Sequence, residues 1–313
     1  MSALTKLREG YEPAPFFDRR GSLAYVITVG AMVFGVALFF GTGFSIDTRL
    51  IVGFQLLAAT AIFAGWLARR ICIERLATGL ETTAVVYGQG IAFLLIIYAL
   101  MAFPIPLVDQ QLAAADKALG FYWPDLAAPF RRSDSLTYWG KIIYRSFVWQ
   151  PALVTISLSV AGRHDRAWRF VTAATISLCL VAFIGPLFPA DTPVVFFHVP
   201  DWPDLESAWK ASEVIHAIRE GHRHIDQSMI AGLLTFPSYH ACSAILFSWA
   251  IYPLKVLRWP VLILNAAMFY LTVVIGGHYV VDLSGGALLA YISIRALRLS
   301  TIARFTQSRA EPY

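Results

Sequence analysis

The chain has 313 residues, of which 58% are hydrophobic and only 14% are charged. Soluble globular domains carry about a quarter charged residues, so this composition excludes an ordinary soluble domain and indicates an integral membrane protein. The net charge of +5 comes from Lys and Arg residues that are scattered through short segments, which argues against nucleic acid as a partner.

Eight apolar stretches follow a charged leader. The leader, MSALTKLREGYEPAPFFDRR, lacks a small-residue cleavage signature, so the first stretch is expected to be a retained span. A membrane-crossing helix needs roughly 20 mostly apolar residues. The stretches that satisfy or approach this length are 23–41, 50–67, 83–107, 139–161, 168–188, 237–255, 259–276 and 279–298. They predict an all-α integral membrane protein with about eight transmembrane helices.

Two connecting segments are too long to be simple turns. Residues 108–136 mix apolar, charged and aromatic positions, which predicts a helix lying in the membrane interface. Residues 189–236 are richer in Pro, His and charge, as is typical of lids and binding loops. Both segments are expected on the outer face of the membrane.

The basic residues predict the orientation in the bilayer. With the N-terminus inside, 16 of the 25 Lys and Arg residues fall on the inner side, in short positive segments. This bias follows the positive-inside rule. We therefore expect both termini in the cytoplasm, and the short loops favour a bacterial inner membrane.

Two short stretches place polar residues at the ends of late apolar runs: TFPSYHACSA (235–244) and IGGHYVVDLSGG (275–286). Pro and Ser before His240 are typical of a helix start, where free amides and the helix dipole favour an anion. His278 and Asp282 are four residues apart, so they share one face of a helix. The topology places these three side chains at one membrane depth, on the outer side.

These residue types suit phosphoryl transfer. A neutral imidazole is a competent nucleophile, and a carboxylate on its other ring nitrogen fixes the tautomer. A second His can protonate the leaving oxygen and then deprotonate the acceptor. A single His–Asp pair is more often structural, but three ionisable groups converging in a membrane favour a functional site.

The stretches FPSYH and GGHYVVDLSGG together resemble the type 2 phosphatidic acid phosphatase superfamily, whose pattern is Pro-Ser-x-His followed by Ser-Arg-x5-His-x3-Asp. The resemblance implies that the last six spans form a phosphatidic-acid-phosphatase-like bundle over residues 81–300. Residues 1–80 would then hold the leader and two extra transmembrane helices, and residues 301–313 a cytoplasmic tail.

The resemblance also implies roles for individual residues. His278 would be the nucleophile that carries a phosphohistidine, Asp282 its partner and His240 the acid–base. Phosphate oxygens would be held by Ser238 and by neighbouring backbone at Tyr239 and Gly277.

The sequence departs from the superfamily pattern in its phosphate-binding cations. Thr272 stands where the pattern has Arg, and no Lys-x6-Arg-Pro motif lies near the end of the fifth span. These losses resemble the branch of inositol phosphorylceramide synthases and sphingomyelin synthases. Outer-side cations could substitute, with Arg219 the first candidate and Lys141 and Arg145 the next.

The expected function is a lipid phosphotransferase, which moves a phosphoryl or phospho-head group from a lipid donor to an alcohol or lipid acceptor. The alternative is a lipid phosphate phosphatase with water as acceptor; less favoured is a non-catalytic lipid-binding or transport protein of the same fold. The donor, the acceptor and the oligomeric state stay open, and no cofactor is expected.

The stretch HAIREGHRHID raises a metal site as a further alternative. Its possible ligands are His216, His222, His224 and Asp226. Three His in a loop can bind zinc, but this spacing matches no familiar zinc frame. We therefore expect no metal.

Overall fold

The computed structural model describes residues 15–199 and 205–308, and the start of the leader and the end of the tail lie outside it. Most of this part of the chain is helical, as predicted. The helices are α1 (Ser22–Gly41), α2 (Thr48–Arg70), α3 (Glu74–Met101), α4 (Asp109–Ala118), α5 (Trp123–Arg131), α6 (Asp134–Arg145), α7 (Gln150–Val160), α8 (His164–Ile184), α9 (Pro193–Phe196), α10 (Glu206–Arg219), α11 (Tyr239–Ile251), α12 (Lys255–Val274) and α13 (Val280–Ser308).

Within the described residues, six helical segments are long and apolar enough to cross a membrane, so the predicted count of about eight is not confirmed. These segments are Arg19–Gly41, Val52–Arg70, Glu74–Met101, His164–Leu187, Lys255–Val274 and Val280–Leu297. The other two predicted spans contain shorter apolar helices, α7 and α11. α11 has 13 residues. At 1.5 Å per residue it is about 20 Å long, whereas the hydrocarbon core is about 30 Å thick.

Prolines explain why these two spans are short. The predicted span 139–161 is divided by a 3-10 turn at Ser146–Val148, and Pro151 lies in the first turn of α7. Proline lacks the N–H that would continue a helix from the preceding turn, so it is tolerated at a helix start. α11 ends at Ile251, two residues before Pro253. Pro253 has no N–H to donate to the carbonyl oxygen four residues earlier, so the helical hydrogen bonds cannot continue past this point.

The two N-terminal helices are peripheral to the bundle. α1 packs against α3 and α8, and α2 packs against α3. The spans of α1 and α2 are 17% and 11% buried inside the protein, compared with 56% and 61% for those of α3 and α8. The main core lies between α8, α11, α12 and α13, where Trp168, Phe170, Phe247 and Met268 are buried.

Short helices cover one end of the bundle. The segment 108–136 was predicted as one interfacial helix but contains the two helices α4 and α5. Gly120 lies between them with a φ of 84°, in the left-handed conformation. The loop 189–236 contains α9, α10 and strand β2 (His224–Ile225). This strand pairs in parallel with β1 (Ser45–Ile46), which joins the loop to the connection between α1 and α2.

A network of buried charges joins α2 to α3. Arg69 contacts the fully buried carboxylate of Glu81 at 2.7 Å, and the Tyr25 hydroxyl of α1 donates to the same carboxylate at 3.1 Å. The indole of Trp168 on α8 donates to Asp18 at 2.8 Å. Charged groups within a membrane are costly unless they are paired, so this network fixes α1 and α2 against the bundle.

Replacing Arg69 by Met should strongly destabilise the fold, because it leaves the Glu81 carboxylate buried without its cation. Breaking such a pair lowers the free energy of unfolding by about 3 kcal/mol. The double variant Arg69→Met, Glu81→Gln should recover most of this loss, since no buried charge remains. Thermal unfolding in detergent measures both effects, with Arg70→Met, an exposed site on the same helix, as control. Equal stability of the Arg69 and Arg70 variants would contradict the role of the pair.

Candidate active site

The start of α11 lies against the start of α13. Ser238 is fully buried and caps α11, because its hydroxyl oxygen accepts a hydrogen bond from the Ala241 amide at 3.3 Å. The Ser238 amide donates to the Asp282 carbonyl oxygen at 3.1 Å. The peptide bond between Phe236 and Pro237 is cis. The PSYH and HYVVD stretches are therefore joined directly through their backbones.

Two glycines make this contact possible. A Cβ atom at Gly286 would lie 2.3 Å from the Ser238 carbonyl oxygen, so any larger residue would separate the two helix starts. Gly277 has a φ of 68°, the left-handed conformation that glycine adopts without strain. It reverses the chain between α12 and α13 and brings His278 back to the bundle.

His278 is held so that one ring nitrogen is available for chemistry. Its Nδ1 lies 2.9 Å from the Thr235 carbonyl oxygen and 3.3 Å from Asp282 Oδ2. Both neighbours are acceptors, so Nδ1 carries the proton of the neutral ring and Nε2 carries the lone pair. Asp282 is fully buried, and its Oδ2 also accepts from the Tyr279 amide at 2.9 Å. This is the orientation that a nucleophilic imidazole requires.

His240 lies across from His278, in the first turn of α11. The two ring centroids are 6.2 Å apart. The Tyr144 ring stacks on His240 with a centroid distance of 4.4 Å, and its hydroxyl lies 3.3 Å from His240 Nδ1. The Phe147 ring centroid is 4.3 Å from that of His240. The structure thus brings His240, His278 and Asp282 together at one end of the bundle.

A family model described as the PAP2 superfamily, that of type 2 phosphatidic acid phosphatases, matches residues 110–296. This match covers well over half of the chain. The chain belongs to the PAP2 superfamily. Membership supports a lipid phosphatase or phosphotransferase type of activity, in an integral membrane protein. A search of curated proteins and a search of solved structures each gave no match.

The residue that replaces the PAP2 arginine is hydrogen-bonded within its own helix. Thr272 is fully buried, and its hydroxyl donates to the Met268 carbonyl oxygen of the same helix at 2.8 Å. Tyr239 also points into the protein, where its ring packs against the main core and contacts the Phe147 ring. What Tyr239 offers to the site is its backbone amide, since the first amides of a helix have no intrahelical acceptor.

The three candidate cations differ in their position relative to the histidines. Arg219 donates to the Ile105 carbonyl oxygen at 2.7 Å, at the end of α10. The other end of α10 reaches the site, because a Cβ at Gly277 would lie 2.9 Å from the Ala208 side chain. Eleven residues of helix separate Ala208 from Arg219, which is about 16 Å. Lys141 and Arg145 lie on α6, the helix that carries Tyr144, whose ring stacks on that of His240.

Two carboxylates that the sequence analysis did not single out support the turn that follows His278. Asp116 of α4 accepts hydrogen bonds from the amides of Val280 and Val281, each at 2.8 Å, and so caps α13. Asp109 accepts from the Tyr279 hydroxyl at 2.8 Å. Burial raises the pKa of both carboxyl groups. The seven-residue spacing of Asp109 and Asp116 on one helix face was the available signal.

The side chains of the histidine-rich stretch make other contacts. Within the described ranges 15–199 and 205–308, no three His, Cys, Asp or Glu side chains are arranged to hold a metal ion. His216 pairs with Asp191 at 3.2 Å, and His224 lies 2.9 Å from the Ser45 hydroxyl. Asp226 accepts from the Ser228 amide at the start of a 3-10 turn. These contacts hold the loop 189–236 in place.

Replacing Asp116 by Ala should destabilise the start of α13, because two buried amides lose their acceptor. The free energy of unfolding should fall by about 2 kcal/mol. Asp125→Ala, an exposed carboxylate on the neighbouring helix α5, should change it by no more than about 0.5 kcal/mol. Denaturant unfolding of both variants measures the difference. A loss that is the same in the two variants would show that the Asp116 contacts carry no stability.

Proposed function

We propose that this PAP2 protein is a lipid phosphotransferase that works through a phosphohistidine on His278. The observation that carries this proposal is the environment of His278 Nδ1. Because Thr235 and Asp282 both accept from that nitrogen, the lone pair resides on Nε2. The carboxylate also stabilises the positive charge that develops on the ring when Nε2 forms a bond to phosphorus.

In the first step, Nε2 of His278 attacks the phosphorus of the donor lipid. A P–N bond forms while the bond from phosphorus to the leaving oxygen breaks. His240, in its protonated form, gives its proton to that oxygen, so the leaving group departs as a neutral alcohol. The two ring centroids are 6.2 Å apart, so a group bonded to His278 lies within reach of His240.

In the second step, neutral His240 takes the proton from the hydroxyl of the acceptor. The acceptor oxygen attacks phosphorus, a new P–O bond forms, and the P–N bond breaks. His278 is released with its lone pair on Nε2, and His240 is again protonated for the next cycle. The same group serves as acid and then as base, as microscopic reversibility requires.

The phosphate oxygens would be held chiefly by the start of α11. The Ser238 hydroxyl and the first amides of the helix, at Tyr239 and His240, collect at a positive helix end. Lys141 is three residues from Tyr144 on α6, so it shares a helix face with the residue that stacks on His240. We propose Lys141 and Arg145 as the first cations for the phosphate, whereas Arg219 would require movement of the outer loop.

The transferase proposal rests on two features of the site. Thr272 supplies no fixed positive charge, which suits a phosphodiester head group better than a dianionic phosphate monoester. The Tyr144 and Phe147 rings lie against His240, which limits the approach of water to the base. The first feature, the missing cation, resembles the branch of inositol phosphorylceramide and sphingomyelin synthases. A phosphatase, with water as acceptor, is the alternative.

We propose the same membrane orientation and the same division of the chain as the sequence analysis. The histidines would face the periplasm of a bacterial inner membrane, with both termini in the cytoplasm. Residues 81–300 would form the catalytic core, preceded by the leader and two extra helices. Cysteine labelling of the loop 189–236 from outside the cell tests this orientation.

Replacing His278 by Ala should abolish turnover, because the nucleophile is lost. Purified protein is incubated with a phospholipid labelled in its phosphate. Wild type should accumulate an acid-labile phosphoprotein that His278→Ala lacks, and His240→Ala should retain the label longer, because the base for the second step is missing. A new labelled lipid identifies a transferase and free phosphate a phosphatase. Turnover by His278→Ala above a few per cent of the wild-type rate would refute the assignment. Such a rate corresponds to a rise of only about 2 kcal/mol in the activation free energy.

Replacing Lys141 by Ala should weaken the use of substrate by about tenfold in kcat/KM, because the transferred phosphate loses a neighbouring charge. Lys117→Ala, on the interfacial helix α4, is the control for a change in surface charge. Arg219→Ala should behave like the control if the loop does not move during turnover. A tenfold effect in Arg219→Ala, with none in Lys141→Ala, would instead assign the phosphate to the loop.

A further inference from the structure

A groove lies between α11 and α12, on the side of α11 that leads away from the histidines. It extends from Ala244, one turn beyond His240, to Tyr252, just after the end of α11. The volume of this α11–α12 groove is about 710 Å³. The groove is open along one side, and its lining is mostly apolar. It is not part of the catalytic arrangement described above.

The surroundings of the groove indicate hydrocarbon. α12 is one of the membrane-crossing helices, and Ala266 of that helix lines the groove with its side chain exposed. Ile263, one turn away, is 68% exposed on the same helix. In a bilayer these surfaces contact lipid chains. The groove is therefore accessible to an acyl chain from the side.

The far end of the groove carries an arginine whose charge is not balanced. Arg166 of α8 lines the groove, and its guanidinium lies 4.2 Å from the centroid of the Trp249 ring. It donates to the carbonyl oxygens of Ala250, at 3.2 Å, and Trp249. Within the residues that the structure describes, no carboxylate forms an ion pair with Arg166. Helix capping uses some of its five N–H groups but leaves its positive charge.

A second cation lies beside the same end. The Arg258 guanidinium is 4.5 Å from the centroid of the Tyr252 ring, and its Nε donates to the Tyr252 carbonyl oxygen at 2.8 Å. In the described part of the chain this arginine also has no carboxylate partner. Two guanidinium groups held on aromatic rings at the mouth of an apolar groove complement a phosphate that is attached to an acyl chain.

We propose that the α11–α12 groove binds an anionic phospholipid, with one acyl chain along α11 and α12 and the phosphate at Arg166 and Arg258. This site lies at the end of α11 opposite His240, so it is distinct from the catalytic site and does not depend on the proposed reaction. A lipid there would hold the end of the short helix α11 at the membrane surface.

Lipid retention by the purified full chain tests this site. Native mass spectrometry counts bound phosphatidylglycerol and bound phosphatidylcholine with the same acyl chains. Wild type should prefer phosphatidylglycerol, and Arg166→Gln should lose about fivefold of that preference, the equivalent of about 1 kcal/mol for one cation near a lipid phosphate. Ala266→Trp, which fills the groove, should reduce the binding of both lipids.

Matched controls separate this site from a generally positive surface. Arg169→Gln removes an exposed charge one turn further along α8, and Ile263→Trp adds the same bulk outside the groove. Both should bind like wild type. Equal effects of Arg166→Gln and Arg169→Gln, or unchanged binding by Ala266→Trp, would overturn the proposal. Ala266→Trp keeps the test decisive if Arg166→Gln fails to fold, and none of these readouts requires turnover.

Discussion

The contact between the starts of α11 and α13 is the constraint on which the candidate site depends. The Ser238 amide donates to the Asp282 carbonyl oxygen, and Gly286 leaves space for the Ser238 carbonyl. This one backbone contact sets the separation of His240 and His278, because each histidine lies within four residues of it along the chain. Chemistry at phosphorus depends on such placement, since small displacements of reacting groups cost large factors in rate.

The sequence predicted the helix starts and the three ionisable residues, because these features are local. A Pro-Ser pair before an apolar run marks a capped helix, and a four-residue spacing places His278 and Asp282 on one face. Ser238 does cap α11, and His278 does lie beside Asp282. The order of the predicted spans was enough to place the starts of α11 and α13 at the same side of the membrane. The number of membrane spans was harder to predict, because hydropathy does not reveal that the apolar stretch 139–161 is interrupted by a 3-10 turn at Ser146–Val148.

The supports of the site could not be predicted, because they depend on contacts between distant parts of the chain. Asp116 caps α13 from 164 residues away, and Asp109 bonds the Tyr279 hydroxyl from 170 residues away. Tyr144 and Phe147 surround His240 only because the chain bends between α6 and α7. The seven-residue spacing of Asp109 and Asp116 places them on one helix face, but it does not show which distant residues they contact. Nothing in the local pattern of Tyr144 and Phe147 separates them from ordinary interfacial or core positions. The position of Arg219 could not be predicted for the same reason, because its guanidinium donates to the carbonyl oxygen of Ile105, a distant residue.

The shortness of α11 relates the site to the bilayer. A helix of 13 residues is about 10 Å shorter than the hydrocarbon core, so it cannot reach both membrane surfaces. At its C-terminal end, Arg166 and Arg258 lie over the rings of Trp249 and Tyr252. Such groups prefer the interface between the membrane and water. The His240 end must then lie below the opposite surface. The short helices α4, α5 and α10 cover that end, where the Trp123 indole bonds the Val273 carbonyl oxygen at 3.0 Å. A recessed and covered site favours substrates that arrive from within the bilayer, as lipids do.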